Sequence, residues 1–307
     1  MKKWIMATVM MVFAALLLTA CGTDQNSSTE GASANGEKLK VAVSFNAMKE
    51  FTQAVGKDKV DVIQLIPDGT EPHDFQPTTK SMKDLADAKV FVYQGLGMEP
   101  WADQVLTSLG KKDLTAVEAG KGVDVIQNTD PEEAKEHGPV DPHAFLSLSA
   151  AQVEVQNIAD ALAKADPANA DYYQKNAADY KGQLKALQDE YTPKFAALSH
   201  KDFVTGHAAF AYLCRDFGLT QNSVEDVFAD GEPSTQKLAE LVDYSKAHQV
   251  KTIFVEDMVS PKTSETLAKE VGATTKTIHT MESGEGAATY LDRMKENLEE
   301  IYTSLAQ

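Results

Sequence analysis

Three histidines stand in short polar segments next to apolar runs: His73 in "GTEPHDFQP", His143 in "VDPHAF" and His207 in "VTGHAAF". Imidazole offers a neutral nitrogen to zinc or another borderline metal, and three imidazoles leave a tetrahedral ion with one open position. A carboxylate could close it. The segment "IHTMESGEG" supplies Glu282 and Glu285, with His279 close by as a further donor. Hydrolytic zinc chemistry would keep the last position for water and needs a general base nearby, but the chain contains no "HExxH". The histidines are far apart in sequence, so the fold has to gather them.

The elements that must do so alternate. "LKVAVSF", "VDVIQLIP", "KVFVYQG" and the "VDVIQ" of residues 123–127 are Val- and Ile-rich runs of strand length, and between them "NAMKEFTQAVG", "TTKSMKDLADA" and "PWADQVLTSLG" carry apolar residues at helical spacing. The second half repeats the pattern. "DFVTGH", "SVEDVFA", "KTIFVED" and "TTKTIHTM" read as strands; "TQKLAELVDYSKAHQ", "PKTSETLAKEVG" and "AATYLDRMKENLEEIYTSLA" read as helices, the last with Leu291, Met294, Leu298, Ile301 and Leu305 on one stripe. Such alternation predicts α/β architecture with mainly parallel sheets. Residues 167–198 break it with helical composition throughout, a stretch of roughly 45 Å if continuous, with Pro193 as a point of kinking or termination. The expectation is two lobes, 38–166 and 199–307, each a mainly parallel sheet flanked by helices, bridged by one long rigid helix. A cleft between lobes is the economical meeting place for the histidines.

Ahead of the folded part, "MKKWIMATVMMVFAALLLTA" has a basic start and a long apolar run, the pattern of a secretory signal peptide over residues 1–20. It ends in "LLTAC", a bacterial lipoprotein box that predicts a lipid on Cys21. Residues 21–37 then form a lipidated cysteine and a Ser/Gly/Asn-rich tether that cannot bury a core. The formal net charge is −17, and loss of Lys2 and Lys3 with the leader makes it more negative still. That balance disfavours nucleic acid and anionic lipid as partners and favours the approach of cations. The remaining cysteine, Cys214 in "FAYLCRDFG", reads as a small buried hydrophobe.

Seven segments, "FNAMKEFTQAV", "LIPDGTEPHDFQPT", "VYQGLGMEPW", "DPHAFLS", "GHAAFAYL", "EPSTQKLAEL" and "SPKTSETLAKEVGA", resemble in order those of the metal-specific substrate-binding lipoproteins of bacterial ABC importers, and most closely the zinc-binding branch. The resemblance runs from the lipoprotein box to the C-terminus. It implies one metal ion held between two α/β lobes, with His73, His143, His207 and Glu282 as ligands. It also implies a monomer, not an enzyme, anchored by its N-terminal lipid to the outer face of the cytoplasmic membrane, that delivers Zn2+ to the membrane subunits of an ABC permease. Manganese-type relatives tend to carry glutamate at the third histidine and aspartate at the fourth ligand, so His207 favours zinc over Mn2+.

The chain departs from the pattern in two places. Zinc members commonly have a long His-rich, acidic loop before "DPH", where this chain has only "NTDPEEAKEHGPV" with His137. Members often read "LNPLEG" where this chain reads "IHTMESG", which puts His279 beside Glu282 as an alternative ligand or a supporting group. Asp74 and Asp141 could orient their neighbouring histidines, although Asp next to Pro or at a turn more readily caps it. Glu232, Pro233 and Ser234 read as a helix start. A manganese carrier, a secreted zinc hydrolase and a surface adhesin are the competing functions.

Overall fold

The computed structural model describes residues 37–307 apart from 111–112, 130, 137, 230–232, 257–260 and 285. The expected leader, Cys21, all but the last residue of the tether, His137, Glu232 and Glu285 therefore lie outside the described residues. Residues 38–307 form one compact unit. Its first part runs β1 (Leu39–Val43), α1 (Asn46–Gly56), β2 (Val60–Gln64), α2 (Thr79–Asp87), β3 (Val90–Tyr93), α3 (Ala102–Leu109), β4 (Thr115–Glu118), α4 (Pro131–Glu136) and α5 (Leu148–Ala165). After α6 (Ala170–Ala196) come β5 (Asp202–Thr205), α7 (Ala211–Phe217), β6 (Thr220–Ser223), α8 (Thr235–Ala247), β7 (Thr252–Glu256), α9 (Pro261–Val271), β8 (Thr274–Ile278) and α10 (Tyr290–Leu305).

The strands form two four-stranded parallel sheets, ordered β2-β1-β3-β4 and β6-β5-β7-β8. Their central strands are buried on both faces: Val41, Ala42 and Val43, then Val90, Phe91 and Val92, then Phe203 and Val204, then Ile253 and Phe254. Helix-covered parallel sheets require this continuous apolar pattern. In both sheets the chain leaves the two central strands in opposite directions, which opens a crevice at their C-terminal ends. The loops after β2, β5 and β8 carry His73, His207 and Glu282.

Helix α1 turns Ala47, Met48, Phe51 and Val55 into the core, the spacing of one helical face. Several helices start on a side-chain cap. Thr78 and Ser81 form a reciprocal box at α2, Ser147 accepts from Ala150 N at 3.0 Å at α5, and Thr289 and Asp292 box the start of α10. Each satisfies backbone donors that a helix start leaves without partners. The expected linking helix is α6, 27 residues and about 40 Å long. It continues through Pro193 and stops within a turn. Near its start Asn176 donates to Val55 O of α1 at 2.9 Å, and near its end Tyr191 donates to Glu299 of α10 at 2.7 Å.

Several local expectations need correction. The strand after α3 is Thr115–Glu118; residues 123–127 lie past Gly122 (φ 84°), largely exposed, and make one isolated bridge between Gln127 and Val140. Beside β5 the strand is Thr220–Ser223 and stops where "SVEDVFA" begins. Both β4 and β6 are edge strands with one partner, and an edge exposed on one side does not need the apolar run that marks a central strand. Helix α5, overlooked in the sequence, packs along α6, with Gln156 bonded to Gln174 at 2.9 Å and to Lys181 at 2.6 Å.

Candidate metal centre

The crevice brings the sequence-selected residues together. His73 lies in the loop after β2, and His143 opens a 3-10 turn, His143–Leu146, that leads into α5. His207 follows β5 by two residues, and Glu282 sits in the loop between β8 and α10. All four are buried. His143 is central: its Nε2 is 3.2 Å from Nε2 of His73, 3.5 Å from Nε2 of His207 and 3.5 Å from Oε1 of Glu282. His73, His143 and Glu282 present ligand atoms that all lie within 4.8 Å of one another. Ligands at 2.0–2.1 Å around a tetrahedral zinc would stand about 3.4 Å apart. The three separations around His143 match that edge length.

Two of the imidazoles are oriented by carboxylates. Asp141 Oδ1 meets Nδ1 of His143 at 2.9 Å and accepts its backbone N–H at 2.9 Å. Glu256, at the end of β7, accepts the backbone N–H of His207 at 2.9 Å through Oε1, while Oε2 meets Nδ1 of His207. Holding the proton on Nδ1 leaves the Nε2 lone pair for a ligand. Gly206 makes the second arrangement possible, because a Cβ there would stand 3.1 Å from Glu256 Cδ. On Glu282, Thr280 donates to Oε2 at 2.8 Å, whereas the buried Oε1 has no hydrogen-bond donor among the described residues.

The electrostatics follow from burying acids among imidazoles. Burial alone would lower His207, but Glu256, with Glu282 and Glu71 beyond it, raises it to about 10. His143 is also raised: burial opposes its charge, and the Asp141 carboxylate at Nδ1 with the Glu282 carboxylate 3.5 Å from Nε2 overcomes that. Burial pushes the Glu282 carboxyl up, and the three histidines together hold it well below the usual carboxylate range. Glu71 goes the other way, raised by burial and then by repulsion from Glu282. A buried carboxylate needs a cation near it. With His207 and His143 both raised, an imidazolium would supply that charge in metal-free protein, and a divalent ion bound by three Nε2 atoms and Glu282 Oε1 would replace it. The donor set and the orphan oxygen fit such an ion.

Other residues fall elsewhere. Asn297 clasps the backbone of His279, donating to its carbonyl at 2.7 Å and accepting its N–H at 2.8 Å, and His279 Nε2 lies 3.3 Å from Glu296 on α10. Neither His207 nor His279 is in the group whose ligand atoms all lie within 4.8 Å of one another, but His207 Nε2 reaches His143 Nε2 at 3.5 Å whereas the His279 ring is turned to Glu296. Asp74 is exposed. Cys214 is a buried free thiol whose pKa burial pushes up, which keeps it protonated and inert. Sequence reasoning missed Glu256 and Glu71. Glu256 closes a strand-like run, "KTIFVED", at the crevice edge, and that position was its only signal.

The family model for zinc-uptake complex component A, periplasmic, matches residues 41–304. A Treponema pallidum protein named for metal binding is 44% identical over 288 residues, which cover 91% of each chain. The high-affinity zinc uptake system protein ZnuA of Bacillus subtilis is 40% identical over 319 residues, 99% of this chain and 98% of its own. Among solved structures, a mutant laminin-binding adhesin, Lmb, of Streptococcus agalactiae superposes with a TM-score of 0.81 at 35% identity, over 87% of this chain and 99% of that one.

Proposed function

Because the chain belongs to the zinc-uptake complex component A family, we propose that it captures zinc between its two lobes through His73, His143, His207 and Glu282 and hands it to an ABC permease. The family is one of substrate-binding transport proteins, so the chain binds zinc and is not an enzyme. The observation that carries the ligand assignment is the placement of His143 Nε2 within 3.5 Å of His73, His207 and Glu282. Three imidazoles and one carboxylate close a tetrahedral shell and leave no position for a hydrolytic water. They also bind zinc more tightly than manganese on the Irving–Williams order.

In this reading residues 1–20 are removed on export and Cys21 carries the lipid. Residues 21–37 tether the folded part to the outer face of the membrane, and lobes 38–166 and 199–307 enclose the ion about the helix of 167–198. The chain works as a monomer. Calorimetric titration of metal-stripped residues 22–307 with zinc and manganese, beside His207→Ala and Glu282→Ala, tests the site. One-to-one zinc binding far tighter than manganese binding, weakened by both substitutions, is expected; no saturable site, or variants that bind equally well, would refute it.

The similarity to a laminin-binding adhesin favours a second role in surface attachment. Laminin binding by the wild type and by His143→Ala separates the two roles, since attachment by a lobe surface does not need the metal ligand. Absence of laminin binding by the wild type would remove the second role.

A further inference from the structure

Glu282 belongs to the second lobe by sequence, yet its loop is fastened to the first. Its carbonyl accepts Asn46 N at 3.3 Å, Ser283 Oγ accepts Gly69 N at 2.9 Å, and Gly284 N donates to Asp68 Oδ1 at 2.9 Å. Asn46, Asp68 and Gly69 all come from α1 or the loop after β2. Gly284 allows the approach, because a Cβ there would lie 3.0 Å from Asn46 Oδ1 and 3.1 Å from Asp68 Oδ2. The residue before Glu282, Met281, is buried in a left-handed conformation (φ 64°). A side chain with a Cβ holds that backbone only when its surroundings enforce it.

The enforcement centres on Arg293, which is 1% exposed. Its Nη1 donates to Ser283 O at 2.6 Å, and its Nη2 is paired with Glu50 Oε1 of α1. The same Glu50 accepts Asn46 Nδ2 at 2.6 Å, and its second oxygen accepts Tyr290 N at the start of α10. One carboxylate of the first lobe thus holds the helix start, the arginine and, through it, the carbonyl one residue beyond Glu282. The carboxylate behind His207 sits instead within the second sheet: Glu256 lies on the strand next to that of His207.

We propose that Glu50 and Arg293, with Asp68 and Ser283, are positioning residues that lock the Glu282 carboxylate into the metal site and set how fast the ion escapes. The proposal rests on Glu282 being a ligand. Breaking the lock frees the 281–284 loop to relax from its left-handed turn, and the carboxylate then withdraws while the histidines stay oriented by Asp141 and Glu256. Zinc would be held by the imidazoles alone and lost sooner. In this reading the lock joins lobe closure to completion of the ligand set.

The test is zinc release into excess chelator, with Co2+ absorption as a report on ligands, in wild type, Glu50→Gln, Glu282→Gln and the double variant. Glu50→Gln should release zinc about 10-fold faster or more, the scale on which supporting residues act on metal affinity. It should also move the Co2+ visible bands in the same direction as Glu282→Gln. In the double variant it should add nothing further, because the lock acts only through Glu282. Removing one partner of a buried pair can unfold a protein, so Asp68→Ala combined with Ser283→Ala supplies a second variant that strands no buried charge; the same pattern is expected of it. Release unchanged in the folded variants, or effects that add fully to that of Glu282→Gln, would overturn the proposal. A wild type that takes up no stoichiometric zinc would instead overturn the metal-site reading on which it stands.

Discussion

His143 and His207 face each other at 3.5 Å across the crevice, and each is aimed by a carboxylate at Nδ1. The carboxylates arrive by different routes. Asp141 is two residues upstream on the same turn, whereas Glu256 stands 49 residues away on the next strand. Asp141 has independent support: its carbonyl accepts the Tyr212 hydroxyl at 2.6 Å, and its N–H donates to Ile126 O at 3.0 Å. The His207 carbonyl is held by Thr205 at 2.6 Å and Gln221 at 2.8 Å, but its N–H and the Nδ1 of its ring are both met by the one distant carboxylate of Glu256. A local device tolerates the loss of one contact, while a device assembled by the sheet concentrates its effect in one residue.

The largest loss should come from the imidazole the two halves share. His143→Ala removes the nitrogen nearest the other three ligand atoms, and zinc affinity by chelator competition should fall more than about 100-fold, beyond what supporting groups cost. Between the supports, Glu256→Gln should weaken zinc binding by about 100-fold and Asp141→Asn by nearer 10-fold, the two ends of that range. Equal losses would erase the distinction between the local and the distant device.

Protons give a further way to separate them. With His207 raised to about 10, its imidazolium is favoured in the folded metal-free protein. That contribution to stability is complete below the unfolded value near 6.5 and is lost as pH rises through about 10. Zinc takes the place of the Nε2 proton, so binding at pH 7 should release about one proton from His207, and affinity should fall as pH is lowered. Calorimetry in buffers of different ionisation enthalpy measures the count, and Glu256→Gln should reduce it more than Asp141→Asn does. A flat affinity between pH 5 and 7.5 would contradict histidine ligation. The smallest effect belongs to His279→Ala, which should leave zinc affinity unchanged, since the His279 ring nitrogen lies 3.3 Å from Glu296 and Asn297 holds its backbone, both on α10.

The same contrast explains what the sequence disclosed. The three histidines were legible as candidates because each sits in a short polar motif beside an apolar run, whereas Glu282 was singled out from Glu285 only by the family resemblance. Central strands such as Leu39–Val43 and Thr252–Glu256 were legible because burial on both faces demands continuous apolar runs. The edge strands Thr115–Glu118 and Thr220–Ser223 carry no such demand, and α5 has no strand beside it to mark an alternation. Asp141 was visible as a neighbour of His143. Glu256 was not, because its pairing with His207 exists only once β5 and β7 lie side by side, and nothing in either segment records the other.

The most direct test is X-ray absorption of the zinc-loaded protein, residues 22–307, at the zinc edge. Ligation by His73, His143, His207 and Glu282 predicts three imidazole nitrogens and one carboxylate oxygen at about 2.0–2.2 Å, with one imidazole lost in His207→Ala and the oxygen shell altered in Glu282→Ala. A spectrum with fewer than three imidazoles, or one that neither substitution changes, would contradict the account.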